Sequence, residues 1–213
     1  MRLIKYSHAC VRLEKDQQAL VLDPGTFSEV DQALAGANAI LITHEHPDHV
    51  DNQGIRKALE SNIALEVWAP ISVSQQFAEF GERITTVEPK QSFDAAGFHV
   101  TTHGGQHALI HSSIPVVPNV GYLIDELVYH PGDSFWVPAV SVHTLLTPMH
   151  APWSKFSEVA DFLIAVRPKQ AFQVHDALLS DIGKAIVVVN IDRVTGDYGI
   201  NFRMLFPTES VEL

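Results

Sequence analysis

The stretch "AILITHEHPDHVDN", residues 39–52, runs an apolar segment straight into His44, His46, Asp48 and His49. A continuous apolar run of this kind predicts a strand buried on both faces. Pro47 and the polar density after it predict a loop at the strand's exit. His44 and His46 stand two apart and Asp48 and His49 follow at once, so a tight loop aims all of them into one cleft. Desolvating that group without a cation would cost on the order of several kcal/mol. Imidazole and carboxylate are ordinary ligands of zinc and related divalent metals. One ion is served by three or four protein donors, and the loop alone supplies that many. Further donors at other strand ends would therefore point to two ions, which hydrolytic sites hold roughly 3.5–4 Å apart about a shared hydroxide.

Outward from this loop, the first third alternates short elements. "RLIKY", "ACVRLE" and "ALVLD" predict strands, the last closed by the turn signal Pro24-Gly25. "SEVDQALAG" predicts a helix capped by Ser28 and stopped by Gly36. Helix "NQGIRKALE", strand "LEVWA" and helix "SVSQQFAEFG" follow the loop. The middle predicts strands "RITTVE", "GFHVTTHGG", "VGYLID" and "ELVYH", with Asp125-Glu126 turning the last two into a hairpin. "VHTLLTP" and "QAFQVHD" predict buried strands around helix "KFSEVADFLIAV". The tail predicts helix "SDIGKAIVVVNIDRV", weakened by β-branched Val187 to Val189, and strand "YGINFRML". No internal repeat or linker interrupts this order, so one layered α/β domain over residues 1–213 is expected.

The chain has 12 histidines, and several stand at predicted strand mouths, where α/β proteins place chemistry. "GGQHALIHSS" offers His107 and His111, "YHPGDS" offers His130 and Asp133, and "FQVHDALLS" offers His175. Taken singly, His8, His99, His103, His143 and His150 are expected to be structural. A helical stripe through His99, His103, His107 and His111 is excluded by Gly104-Gly105 and the β-branched "VTT".

Composition narrows the function. Fourteen Lys and Arg against 25 Asp and Glu give a net charge of −11. That balance repels phosphate backbones, so no nucleic-acid partner is expected. A lone cysteine, Cys10, fits a buried strand position and a reducing compartment. The alternating N-terminus lacks the apolar core of an export signal, and no apolar run reaches the ~20 residues of a membrane span. A cytoplasmic protein acting on a small molecule is expected, without a membrane partner.

The motif HxHxDH after an apolar strand, then a later His, "GD" and a final His, resembles the metallo-β-lactamase superfamily. The opening "YSHACVRLE…LVLDPG" and "YHPGDS" look like its ascorbate-6-phosphate lactonase-like branch of small metal-dependent hydrolases. The resemblance covers nearly the whole chain and implies an αββα sandwich of two mixed sheets with helices on the outer faces. It implies that His44, His46 and His107 hold a first ion, with His111 as the alternative third ligand. Asp48, His49 and His175 would hold a second, and Asp133 would bridge the pair. Asp23 of "LVLDPG" would orient a ligand by hydrogen bonding, and His8 and His130 would stand near the site. The implied activity is hydrolysis of a lactone, other ester or phosphodiester of a small metabolite by a metal-bound hydroxide. Asp48 would exchange the proton with nucleophile or leaving group. A thiolate-free donor set suits zinc, manganese and iron alike. Two other classes are set against it. A catalytically inactive metal-binding or ligand-sensing protein of the same fold would keep the site without the chemistry. A flavodiiron-like redox protein would need a flavin domain and carboxylate-rich ligands. Homo-oligomers are common among such relatives, so self-association is a further expectation.

Overall fold

A computed structural model describes residues 1–213. In the amino-terminal half, β1 (Arg2–Lys5), β2 (Val11–Lys15), β3 (Gln18–Leu22), β4 (Ala39–Leu41), β5 (Glu66–Ala69) and β6 (Ile84–Thr86) pair in that order. Pairing is antiparallel from β1 to β3 and parallel from β3 to β6. The other sheet holds β7 (Ser92–Ala95), β8 (Phe98–Gln106), β9 (Pro118–Ile124), β10 (Val128–His130), β11 (Thr144–Pro148), β12 (Gln170–Val174) and β13 (Asn201–Arg203). It repeats the plan, antiparallel from β7 to β10 and parallel from β10 to β13. β14 (Ser210–Glu212) returns to pair antiparallel with β1.

Side-chain alternation along the strands builds the layers. Leu20, Leu22 and Leu41 face the inner core, where they join Val100, Tyr122, Leu146 and Phe172 of the other sheet. Val21, Ile40 and Ile42 point the opposite way, onto Val30, Leu34, Ile55, Leu59 and Val73 of the helical layer. These helices are α1 (Val30–Leu34), α2 (Asn52–Ser61) and α3 (Ile71–Ser74). On the far side, Val159, Phe162 and Leu163 of α4 (Phe156–Val166) and Ile191 of α5 (Asp181–Thr195) cover Leu145, Ala171 and Phe202. The apolar character of "AILI" follows from this: a central strand with core on both faces has no polar side to show. The architecture is the αββα sandwich. No helix is long and apolar enough to cross a membrane.

Local chemistry explains most boundaries. Asp125 and Glu126 both take positive φ, 50° and 53°, the type I′ geometry that matches strand twist in a two-residue hairpin. The side chain of Asp51 caps α2 by accepting from the backbone N–H groups of Gln53 and Gly54. Cys10 is fully buried just before β2, and burial pushes its thiol up to about 12.

Three expectations need correction. Ser28 does not cap α1; its hydroxyl donates to the Gly25 carbonyl, and Glu29 is the residue before the helix. "SVSQQFAEFG" is not one helix: α3 gives way to 3-10 turns over Gln75–Arg83, broken at Phe77 and Gly81, where Gly81 takes φ 65°. The short edge strands β7 and β14 arise where no strand is predicted, because their sequences are at least half polar and little buried. α5 forms in spite of Val187 to Val189, with Ser180 accepting from the Gly183 N–H at its start and Ile191 anchored in the core.

Candidate metal centre

Donors converge at the exits of the strands. His44 follows β4, His107 follows β8, Asp133 follows β10 and His175 follows β12. Two glycines let the loops meet. A Cβ on Gly25 would lie 1.8 Å from the Asp48 carbonyl oxygen, so the Pro24-Gly25 turn rests directly on the His-rich loop. Gly132, at φ 64°, leaves no room for a side chain beside Asn119 and Thr43. Backbone bonds from Thr26 to Pro47 and from Asp51 to Pro24 stitch the same two loops together.

The side chains form two groups, each with ligand atoms within 4.8 Å of one another. One contains His44, His46, His107 and Asp133; the other contains His8, Asp48, His49 and His175. All are buried except His46 and Asp48, which are half-buried. Asp133 lies between the groups. Its Oδ2 stands 3.2 Å from His107 Nε2 and 3.1 Å from His175 Nε2, and its Oδ1 stands 3.1 Å from His49 Nε2.

Ring tautomers are set from outside the cleft. His107 Nδ1–H donates to the Ala108 carbonyl at 2.6 Å and His175 Nδ1–H to the His150 carbonyl at 2.7 Å. His49 Nδ1–H donates to Asp23 Oδ2 at 2.8 Å. Thr43 gives both its backbone N–H and its hydroxyl to Asp23, so its oxygen accepts from His44 Nδ1–H at 3.0 Å. With each Nδ1 proton committed outward, each neutral ring presents a bare Nε2 to the centre. His46 joins through the other nitrogen, its Nδ1 lying 3.1 Å from His44 Nε2.

These lone pairs crowd one another. His49 Nε2 and Asp133 Oδ1 are both buried without a hydrogen-bond partner, although they face each other. Ligands about 2.0–2.1 Å from a tetrahedral ion stand about 3.3 Å apart, close to the spacings here. The donor set fits a divalent cation in each group.

Without a cation, protons take its place. Burial opposes charge on His49, but Asp133 and Asp23 outweigh it and hold that imidazole well above its usual range. Burial likewise opposes a charge on His175, but Asp133 and Asp48 raise it to about 9. His44 goes the other way: burial, reinforced by His49, keeps it well below the ordinary value. Burial disfavours the Asp133 carboxylate, yet His49 and His175 hold its pKa well below the usual range.

Of the remaining candidates, Asp23 is buried and accepts from Thr43 and His49. His130 lies behind it, its Nε2 3.3 Å from both Asp23 Oδ2 and the Ala9 carbonyl oxygen. His111 is the correction. It is exposed and its Nδ1 bonds Ser113, because the chain turns outward after Ala108. His99 pairs with Asp94 on the surface, and His103 stands edge-on to Tyr129. One contributor escapes the sequence: Trp153, whose Nε1–H donates to Asp133 Oδ2 at 3.0 Å. An indole nitrogen only donates, so this bond fixes the orientation of the central carboxylate. Its one sequence signal is position, in the loop after the buried strand β11.

Paired donor clusters at one edge of two stacked mixed sheets define the metallo-β-lactamase architecture. Residues 2–175 match the family model described as the beta-lactamase superfamily domain, and the chain belongs to that family. It is 38% identical over 200 residues to Protein Rv0786c of Mycobacterium tuberculosis, covering 92% of this chain and 93% of the relative. It is 26% identical to a UPF0173 metal-dependent hydrolase of Xanthobacter autotrophicus, over 76% of this chain and 72% of that protein. Among solved structures, Igni18, a metallo hydrolase from Ignicoccus hospitalis, superposes with a TM-score of 0.75 at 16% identity. That match covers 99% of this chain and 97% of the other, and the likeness is one of fold.

Proposed function

We propose that this protein is a metal-dependent hydrolase that binds two divalent ions and cleaves a lactone, other ester or phosphodiester of a small metabolite. His44, His46 and His107 would hold one ion, and Asp48, His49 and His175 the other, with Asp133 shared. The observation that carries the reading is the outward commitment of Nδ1 in His44, His49, His107 and His175, which leaves bare Nε2 atoms around buried Asp133. The metal-dependent hydrolase among the relatives supports the same class. The likeness of "SHAC" and "YHPGD" to the lactonase-like branch favours lactones as the first substrates to try.

When bound, divalent ions lower the pKa of coordinated water from 15.7 to about 7 and polarise a carbonyl or phosphoryl oxygen. The protein's part is orientation and proton handling. Asp133 aligns the two donor groups, and Trp153 holds Asp133. Asp48, half-buried and open to the cleft, accepts the proton of the attacking water or delivers one to the leaving group. Burial disfavours its charge, but in the metal-free protein hydrogen bonds from His175 and His8 hold its pKa below the usual range, so the carboxylate is ionised.

Elemental analysis of the purified protein, paired with a lactone, ester and phosphodiester panel in zinc and manganese, tests this. About two ions per chain with turnover on one substrate class is the expected result. Fewer than one ion refutes the metal centre. Two ions with no turnover anywhere refutes hydrolysis and leaves a metal-binding or ligand-sensing protein.

A further inference from the structure

His8 lies on the loop between β1 and β2, far in sequence from the other donors, and is buried. Its Nε2 stands 3.0 Å from Asp48 Oδ2. Grouped with Asp48, His49 and His175, it has two competing roles: a fourth ligand of the second ion, or a hydrogen-bond donor to Asp48. The far ring nitrogen separates them. In His49 and His175, Nδ1 gives its proton outward. In His8 the arrangement is reversed, because the backbone N–H of Ala177 points at Nδ1 from 3.4 Å. An N–H faces an acceptor, so Nδ1 is bare and the proton of the neutral ring sits on Nε2. A protonated nitrogen does not coordinate a metal, and this one faces a carboxylate that only accepts.

The placement is over-determined. His8 takes φ 57°, a left-handed conformation that non-glycine residues adopt only when their surroundings enforce it. Its carbonyl accepts from the buried Lys5 Nζ at 2.8 Å and from the His175 backbone N–H at 3.1 Å. Phe27 stands edge-on at 5.3 Å and the His175 ring lies 4.1 Å away. Tethered at carbonyl and at Nδ1, the ring has one direction left for its proton.

We propose that His8 is a positioning residue: its Nε2–H engages one lone pair of Asp48 Oδ2, aims the other at the second ion, and itself ligates nothing. The inference rests on the metal-centre reading above and adds a role the HxHxDH motif does not contain. It also explains why a residue of the β1–β2 loop is stitched by backbone to His175, since both must register on the same carboxylate.

Nitrogen-15-labelled full-length protein loaded with zinc reads the tautomer directly, through long-range proton–nitrogen correlations of the imidazole rings. The spectrum of His8→Gln identifies the His8 signals. Expected is a protonated Nε2 with a bare Nδ1 lacking the shift of a ligated nitrogen. Any spectrum with His8 Nδ1 protonated overturns the proposal. Zinc titration supplies a second readout. His8→Ala should weaken the second zinc about 10–100-fold and leave the first unchanged. His8→Gln, which keeps an N–H donor, should recover most of that loss; equal losses in both variants would overturn the donor role. The wild-type spectrum reports His8 with or without bound metal, whereas elemental analysis reports the centre, so the two readings fail separately.

Discussion

The amino-terminal sheet delivers His44, His46, Asp48 and His49 on one loop after β4, whereas the carboxy-terminal sheet delivers His107, Asp133 and His175 on three loops after β8, β10 and β12. Both sheets have the same sequence of antiparallel and parallel pairings, so the difference lies in the loops. Donors on one loop keep their mutual spacing through local backbone bonds, such as those of His49 and Val50 to the His46 carbonyl. Donors on separate loops depend on β8 to β12 holding register, on the packing of the two sheets and on single loop-to-loop bonds such as that from the Ala108 N–H to the Asp133 carbonyl. The first kind of donor is robust and easy to read; the second depends on outside supports, of which Trp153 on Asp133 is the plainest.

Removing the shared carboxylate should produce the largest effect. Asp133→Ala is expected to take metal content from about two ions per chain toward none, measured by elemental analysis. An Asp133→Ala protein that keeps both ions would show that the one-loop donors suffice alone.

Next comes Asp23, which supports the one-loop donors from behind. Asp23→Ala removes the acceptor of His49 and Thr43 from a fully buried site. Breaking a buried hydrogen-bonded charge pair costs about 3–5 kcal/mol, so a large fall in the urea midpoint of the metal-free protein is expected. Metal affinity should also drop about 10–100-fold. An unchanged midpoint would mean that the loop orders itself without Asp23.

Trp153→Phe keeps the aromatic wall and deletes only the N–H on Asp133. Metal affinity should fall roughly tenfold, at the low end for a partner behind a ligand, with both ions affected because Asp133 serves both groups. Loss confined to one ion would contradict the shared position of Asp133.

Proton release gives a gentler test. His49 and His175 bind protons in the metal-free site, so metal binding must expel them. Calorimetry in buffers of different ionisation enthalpy should detect protons released at neutral pH. The contribution from His175 should fade as pH rises through about 9, where that ring is already neutral. Above about pH 8, where coordinated water is already ionised, release that grows with pH would have the wrong sign. Smallest of all, His111→Ala should change stability by less than about 0.5 kcal/mol and leave metal content intact, in contrast to His107→Ala.

What could be read from the sequence follows the same divide. The buried strand before His44, the Asp125-Glu126 hairpin and the layered order of elements all rest on local pattern, and the fold shows each. Seven candidate donors, which the fold brings together, stand out because imidazole and carboxylate are scarce at the ends of apolar runs. The choice between His107 and His111 is not local, since both follow β8 and only the outward turn after Ala108 separates them. Trp153 is invisible for a different reason: an indole carries no charge and no ligand chemistry, and only its distance to Asp133 reveals its use. β7 and β14 escape because an edge strand needs neither an apolar face nor length, and the break at Phe77 because that ring is buried in the core under the helices, a tertiary contact.

Asp23 has a wider consequence. It takes a proton bond from His49 directly and is joined to His44 through the Thr43 hydroxyl, so one carboxylate touches a ring from each cluster. An ion in either cluster would stiffen that link and would spare a second some of the ordering it would otherwise impose. If each cluster takes an ion, the reciprocity of linkage requires each to favour the other by the same factor.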